Sequence, residues 1–86
     1  MLTSADIRDR VRQQPFIPLR IVTSSGEHYD VRHPDLVMVG RRDIIVGLPR
    51  QADSPIYEQV ARLSIMHVTA LEDLTVPSPA GSNGSA

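Results

Sequence analysis

Residues 36–48 (LVMVGRRDIIVGL) hold two apolar runs separated by the polar turn Gly40-Arg41-Arg42-Asp43. Val and Ile crowd both arms, and the break is short and opens on glycine, which predicts a tight β-hairpin at the centre of a small sheet. The arms are more uniformly apolar than a one-sided sheet requires. One of them is therefore expected to be covered on both faces, by a helix, a loop or another subunit.

The rest of the chain is placed around that hairpin. Thr3-Ser4-Ala5-Asp6 opens a helix in which Thr3 or Ser4 caps, Asp6 falls in the first turn, and Ile7 and Val11 recur four residues apart. Leu2 is expected to staple onto the same face. Pro15 ends the helix by Gln14, and Pro15-Phe16-Ile17-Pro18 forms an extended elbow that lays Phe16 onto the core. Residues 19–23 (LRIVT) alternate as a half-buried strand with Leu19 and Ile21 on one face. Ser24-Ser25-Gly26-Glu27 reads as a turn, and residues 27–32 (EHYDVR) return as a strand with Tyr29 and Val31 inward. His33-Pro34-Asp35 interrupts that strand, because proline removes a ladder donor.

Beyond the hairpin, residues 49–55 (PRQADSP) are rich in turn formers and read as a loop. Residues 56–63 (IYEQVARL) fit either a short amphipathic helix or an alternating strand. Strand is preferred, because eight residues make a short helix and a meander needs a partner at this point. A 3₁₀ turn over 64–67 and a last strand over 68–71 follow, and Leu74 packs back onto the domain. The fold class expected is thus α+β: an N-terminal helix followed by a five-stranded, strongly bent antiparallel sheet or small barrel. The domain spans 1–75, and 76–86 form a disordered Pro/Gly/Ser tail.

Composition narrows the setting more than the function. A domain near this size buries only about 60% of its unfolded surface, so self-association is a natural source of added stability. Cysteine is absent, which removes disulfides and fits a reducing compartment. No signal-peptide core opens the chain, and no apolar run approaches the roughly 18 residues a membrane helix needs, so a cytoplasmic location off the membrane is expected. The formal net charge of −1 argues against binding that depends on general phosphate neutralisation. All nine basic residues are arginine, a residue suited to planar bidentate contacts, although coding bias produces the same composition.

The order of helix, short antiparallel strands and a 3₁₀ turn before the last strand resembles the small bent barrels of the SH3-like and Sm-like type. The Sm family's RNA-contacting residues do not carry over, since Gly47-Leu48-Pro49-Arg50 stands where an Ile-Arg-Gly-type element would be. Ile7-Arg8, Gln14-Pro15-Phe16-Ile17-Pro18-Leu19-Arg20-Ile21, Val31-Arg32-His33-Pro34 and Ser64-Ile65-Met66-His67-Val68 resemble a group of short bacterial proteins of unknown function. That resemblance spans about residues 5–74 and implies a self-standing bacterial domain without an assigned activity.

Candidate chemistry is sparse. Arg32, His33 and Asp35 bring a cation, an imidazole and a carboxylate to a strand break, where they can serve as a base or phosphate contact. The plainer alternative is a turn-capping Asp35, a surface His33 and an Arg32 paired to a strand neighbour. Arg41 and Arg42 on the hairpin tip, with Arg50 in the next loop, form the one local positive cluster, suited either to an acidic partner or to simple solvation. His28, His33 and His67 lack the short spacing of a zinc site, so no metal or cofactor is expected. Gly40 and Gly47 read as turn and bulge glycines. No nucleophile stands in a Gly-x-Ser-x-Gly elbow, and aromatics are too few to stack bases.

The function expected from these features is a non-enzymatic interaction module that binds itself or another protein. The alternative is a nucleic-acid-associated regulatory domain using Arg41, Arg42, Arg50 and Arg32.

Overall fold

The computed structural model describes residues 2–74; the tail expected at 76–86 lies outside the described residues. Thr3 is the N-cap of helix α1 (Ser4–Val11), where its Oγ1 accepts from the Asp6 amide and the Asp6 carboxylate accepts from the Thr3 amide. This reciprocal box satisfies two amides that a helix end otherwise leaves open. It also holds the Asp6 carboxyl below its usual range, chiefly through the Thr3 backbone bond. The helix stops at Val11, four residues before Pro15.

Six strands follow among the described residues: β1 (Leu19–Thr23), β2 (His28–Val31), β3 (Val37–Val39), β4 (Asp43–Pro49), β5 (Tyr57–Ser64) and β6 (Val68–Asp73). They form two antiparallel sheets of three strands each, ordered β2-β1-β6 and β3-β4-β5. The expected five-stranded bent sheet or barrel is therefore corrected to six strands in two sheets without closure. The reason lies in two corners. Pro34 removes a ladder donor, and the chain winds through a 3₁₀ turn (Pro34–Leu36) that carries it from one sheet into the other. A second 3₁₀ turn (Ile65–His67) does the same between β5 and β6. Each corner sinks an apolar side chain, Leu36 and Ile65, into the core.

The uncertain segment at 56–63 is strand, paired to β4 from Asp43↔Ser64 to Pro49↔Tyr57. The β1–β2 turn uses Gly26 at φ +90°, in the left-handed region that glycine enters without a side-chain clash. Gly47 differs from expectation. The ladder's irregularity falls between Leu48 and Pro49, whereas Gly47 sits in regular register opposite Val60. A Cβ there would come within 3.0 Å of the Tyr57 Cβ and 3.1 Å of Leu36 Cδ2, so glycine is needed for close packing rather than for a bulge.

Ile7, Leu19, Ile21, Val31, Ile44 and Val46 are fully buried between the sheets and under the helix. Each contributes on the order of 1.5–3 kcal/mol by leaving water. Phe16 and Tyr29, both expected inside, are half-buried at the edge of that core. Arg10 ties the helix to the last strand: its Nη2 donates to Asp73 Oδ1 at 2.6 Å and to the Pro18 carbonyl at 3.4 Å.

Candidate functional site

The strand-break residues do not converge. His33 Nε2 lies 2.7 Å from the Asp53 carbonyl, so it donates to the loop before β5 rather than to Asp35. A ring held this way is a strut between the 3₁₀ corner and that loop. Asp35 is exposed in the first turn of the corner, and Arg32 is half-buried at the end of β2. Among the described residues no hydrogen bond or ion pair joins the three to one another. Nor do three His, Asp or Glu side chains among them gather closely enough to hold a metal ion.

The arginines divide between the two ends of one sheet. Arg41 and Arg42 stand exposed on the β3–β4 turn, which the Gly40 amide closes by donating to the Asp43 carbonyl at 2.7 Å. They flank a cleft shared with Leu2, Ser4 and Met66, beside the start of α1. Arg50 lies past the other end of β4, a strand of seven residues. At about 3.3 Å per residue that separates it from the turn by roughly 20 Å. It is held there by Glu58, at 3.1 Å. Arg62, which sequence reasoning did not single out, pairs with Asp43 at 2.6 Å and so sits near the turn. Its signal was present in the alternation of β5, which sets Arg62 outward beside Val60.

The outer face of the β3-β4-β5 sheet is where apolar side chains meet solvent. Met38 is 62% exposed, Tyr57 56% and Val60 56%, and Ile45 lies half-buried between them. These residues border a shallow groove floored by Gly47 and rimmed by Asp35. The inner face of the same strands carries Val37, Ile44, Val46 and Leu63, all buried. The apolar excess of the hairpin thus splits, with one half building the core and the other half facing outward. Among the described residues β5 is the outer strand of this sheet and is bonded on one side only.

On the other sheet Arg20 and Asp30 form a bidentate cross-strand pair, with Nε to Oδ1 at 2.8 Å and Nη2 to Oδ2 at 3.3 Å. The Arg20 hydrogen bond holds the Asp30 carboxyl below the usual carboxylate range. The pair joins β1 to β2 and has the geometry of a structural clamp. No helix among the described residues is long and apolar enough to cross a membrane. Comparison with protein-family models, with curated proteins and with solved structures finds no match to this chain.

Proposed function

We propose that this chain is a non-enzymatic interaction module that associates with a copy of itself or with another protein through the β3-β4-β5 sheet. The observation that carries this reading is the exposure of Met38, Tyr57 and Val60 together on the outer face of that sheet. A sheet covered on one side ordinarily turns polar toward water, and contiguous apolar side chains that remain in water mark contact surfaces. The segments behind the resemblance to short bacterial proteins agree with a structural rather than a chemical constraint. Ile7, Leu19, Ile21, Val31, Ile65 and Val68 supply core, and His33 braces a loop. A chain without cysteine suits the reducing cytoplasm, where we place it.

A second reading, a nucleic-acid-associated regulatory domain, draws on Arg41 and Arg42, which form no ion pair among the described residues. The division of the arginines between two ends of the sheet leaves this reading behind the first.

The test is the absolute mass of the purified chain by light scattering, with the 260/280 nm absorbance ratio taken on the same peak. A concentration-dependent dimer with a protein-like ratio supports the module. A monomer carrying nucleic acid reverses the order of the two readings.

A further inference from the structure

We propose that two copies of this chain pair antiparallel along β5 with Val60 on the two-fold axis, joining two three-stranded sheets into one of six. This rests on the self-associating reading above and specifies its surface.

The backbone supplies the first part of the argument. Ile65 donates its amide to the Arg42 carbonyl at 2.8 Å, in line with the register that pairs Asp43 with Ser64. Bonded positions alternate in an antiparallel ladder, so Leu63, Ala61 and Gln59 aim their amides and carbonyls at β4, and Arg62 and Val60 aim theirs away from it. The bond from Gly40 to Asp43 on the other side of β4 gives the same phase. Among the described residues, Val60 and Arg62 therefore present unpaired donors and acceptors along the free edge of the sheet.

Charge supplies the second part. Glu58 and Arg62 are the only charged residues of β5. In a symmetric antiparallel pair the residues equally far from the axis, on opposite sides, face each other. Centring on Val60 sets Glu58 across from Arg62 of the second copy, twice, and no other register pairs these opposite charges. Centring on Glu58 or Arg62 would oppose like charges, which destabilises a cross-strand pair. Each Glu58 already holds Arg50, and each Arg62 holds Asp43. Pairing therefore lines up Arg50, Glu58, the second copy's Arg62 and the second copy's Asp43 in alternating sign. The irregularity near Glu58 ends the flat part of the edge and limits the shared ladder to 58–62. Val60 meets its own copy at the centre and continues the exposed apolar face from one copy to the next.

The absence of cysteine gives a direct test, since Val60→Cys introduces the chain's single thiol. A bonded antiparallel pair places its Cα atoms about 5.5 Å apart, within the span of a disulfide. With oxidised glutathione as oxidant, Val60→Cys is expected to form a disulfide dimer at least about tenfold faster than Met66→Cys, which is 74% exposed but off the axis. Equal rates overturn the register. Glu58→Gln and Arg62→Gln are each expected to raise the dimer Kd about tenfold by leaving the facing charge unpaired, with the double variant no weaker than either single one; losses that add overturn the charge pairing. The unmodified chain separates the two levels of argument. A monomer at every concentration in light scattering overturns both the self-association reading and this inference. A dimer in which Val60→Cys links no faster than Met66→Cys retains self-association and overturns pairing along β5.

Discussion

Gly47 lies directly beneath Tyr57, so that a Cβ on the glycine would stand 3.0 Å from the tyrosine Cβ. The exposed tyrosine thus takes its position on the outer sheet face from a missing side chain in the neighbouring strand. Gly47→Val is expected to lower stability by about 1–3 kcal/mol through overpacking against Tyr57 and Leu36. The drop would be read as a lower thermal midpoint, by roughly 4–8 °C per kcal/mol for a domain of this size. An unchanged midpoint would mean that Tyr57 moves aside freely and that the groove is not a preformed surface.

Arg10 and Asp73 form a clamp in which the arginine side chain is 14% exposed and the aspartate 55%. Arg10 Nη1 is buried with no hydrogen-bond partner among the described residues. Asp73→Asn should therefore cost about 1–2 kcal/mol, because it leaves a largely buried cation without its counter-charge. Arg10→Met in the same chain should recover most of that loss by removing the cation. Chemical denaturation of the single and double variants would show it; a double variant no more stable than Asp73→Asn would locate the cost elsewhere.

Asp30 gives a pH dependence of known sign. Its carboxyl is held low in the folded chain, chiefly by the Arg20 hydrogen bond. A depressed folded value means stability that is present above the unfolded value, about 3.9, and is lost as pH falls through the folded value. Both side chains remain about a third exposed, at 35% and 30%, so solvent screening limits the contribution to about 1 kcal/mol or less. Urea midpoints of the unmodified chain and of Asp30→Asn should differ near neutral pH, with the difference closing as pH falls through the folded Asp30 value. A gap that persists unchanged into acid would exclude the carboxylate as its source.

His33 tests the strut reading. His33→Ala removes the bond to the Asp53 carbonyl while leaving the buried core untouched. The expected outcome is faster amide exchange in the loop between β4 and β5, with a global stability change of about 1 kcal/mol or less. A global loss several times larger would give His33 a role in the fold beyond the loop.

Much of the architecture is legible in the chain because it depends on local pattern. Alternation at Leu19, Ile21 and Thr23, the capping residues Thr3 and Asp6, and the apolar arms on either side of Gly40-Arg41-Arg42-Asp43 each read correctly as strand, helix start and hairpin. Each strand segment could be read from pattern, but their division between two three-stranded sheets could not. Pro34 marks a break in sequence, but whether the flanking strands stay in one sheet depends on the path the backbone takes through the 3₁₀ corner. The candidate site fared less well. His33 and Asp35 are neighbours along the chain, yet the corner turns the imidazole toward Asp53 and leaves the carboxylate on a groove rim.

What the sequence by itself determined is the set of elements and the face that β1 and β2 bury, since side-chain alternation and backbone propensity act over a few residues. Only the tertiary structure decided which apolar side chains of the hairpin meet the core and which meet water. It also set Arg41 and Arg42 apart from Arg50 and left β5, among the described residues, with a free edge. Those outcomes depend on contacts between residues far apart in the chain, such as Gly47 with Tyr57 and Leu36, which periodicity does not encode.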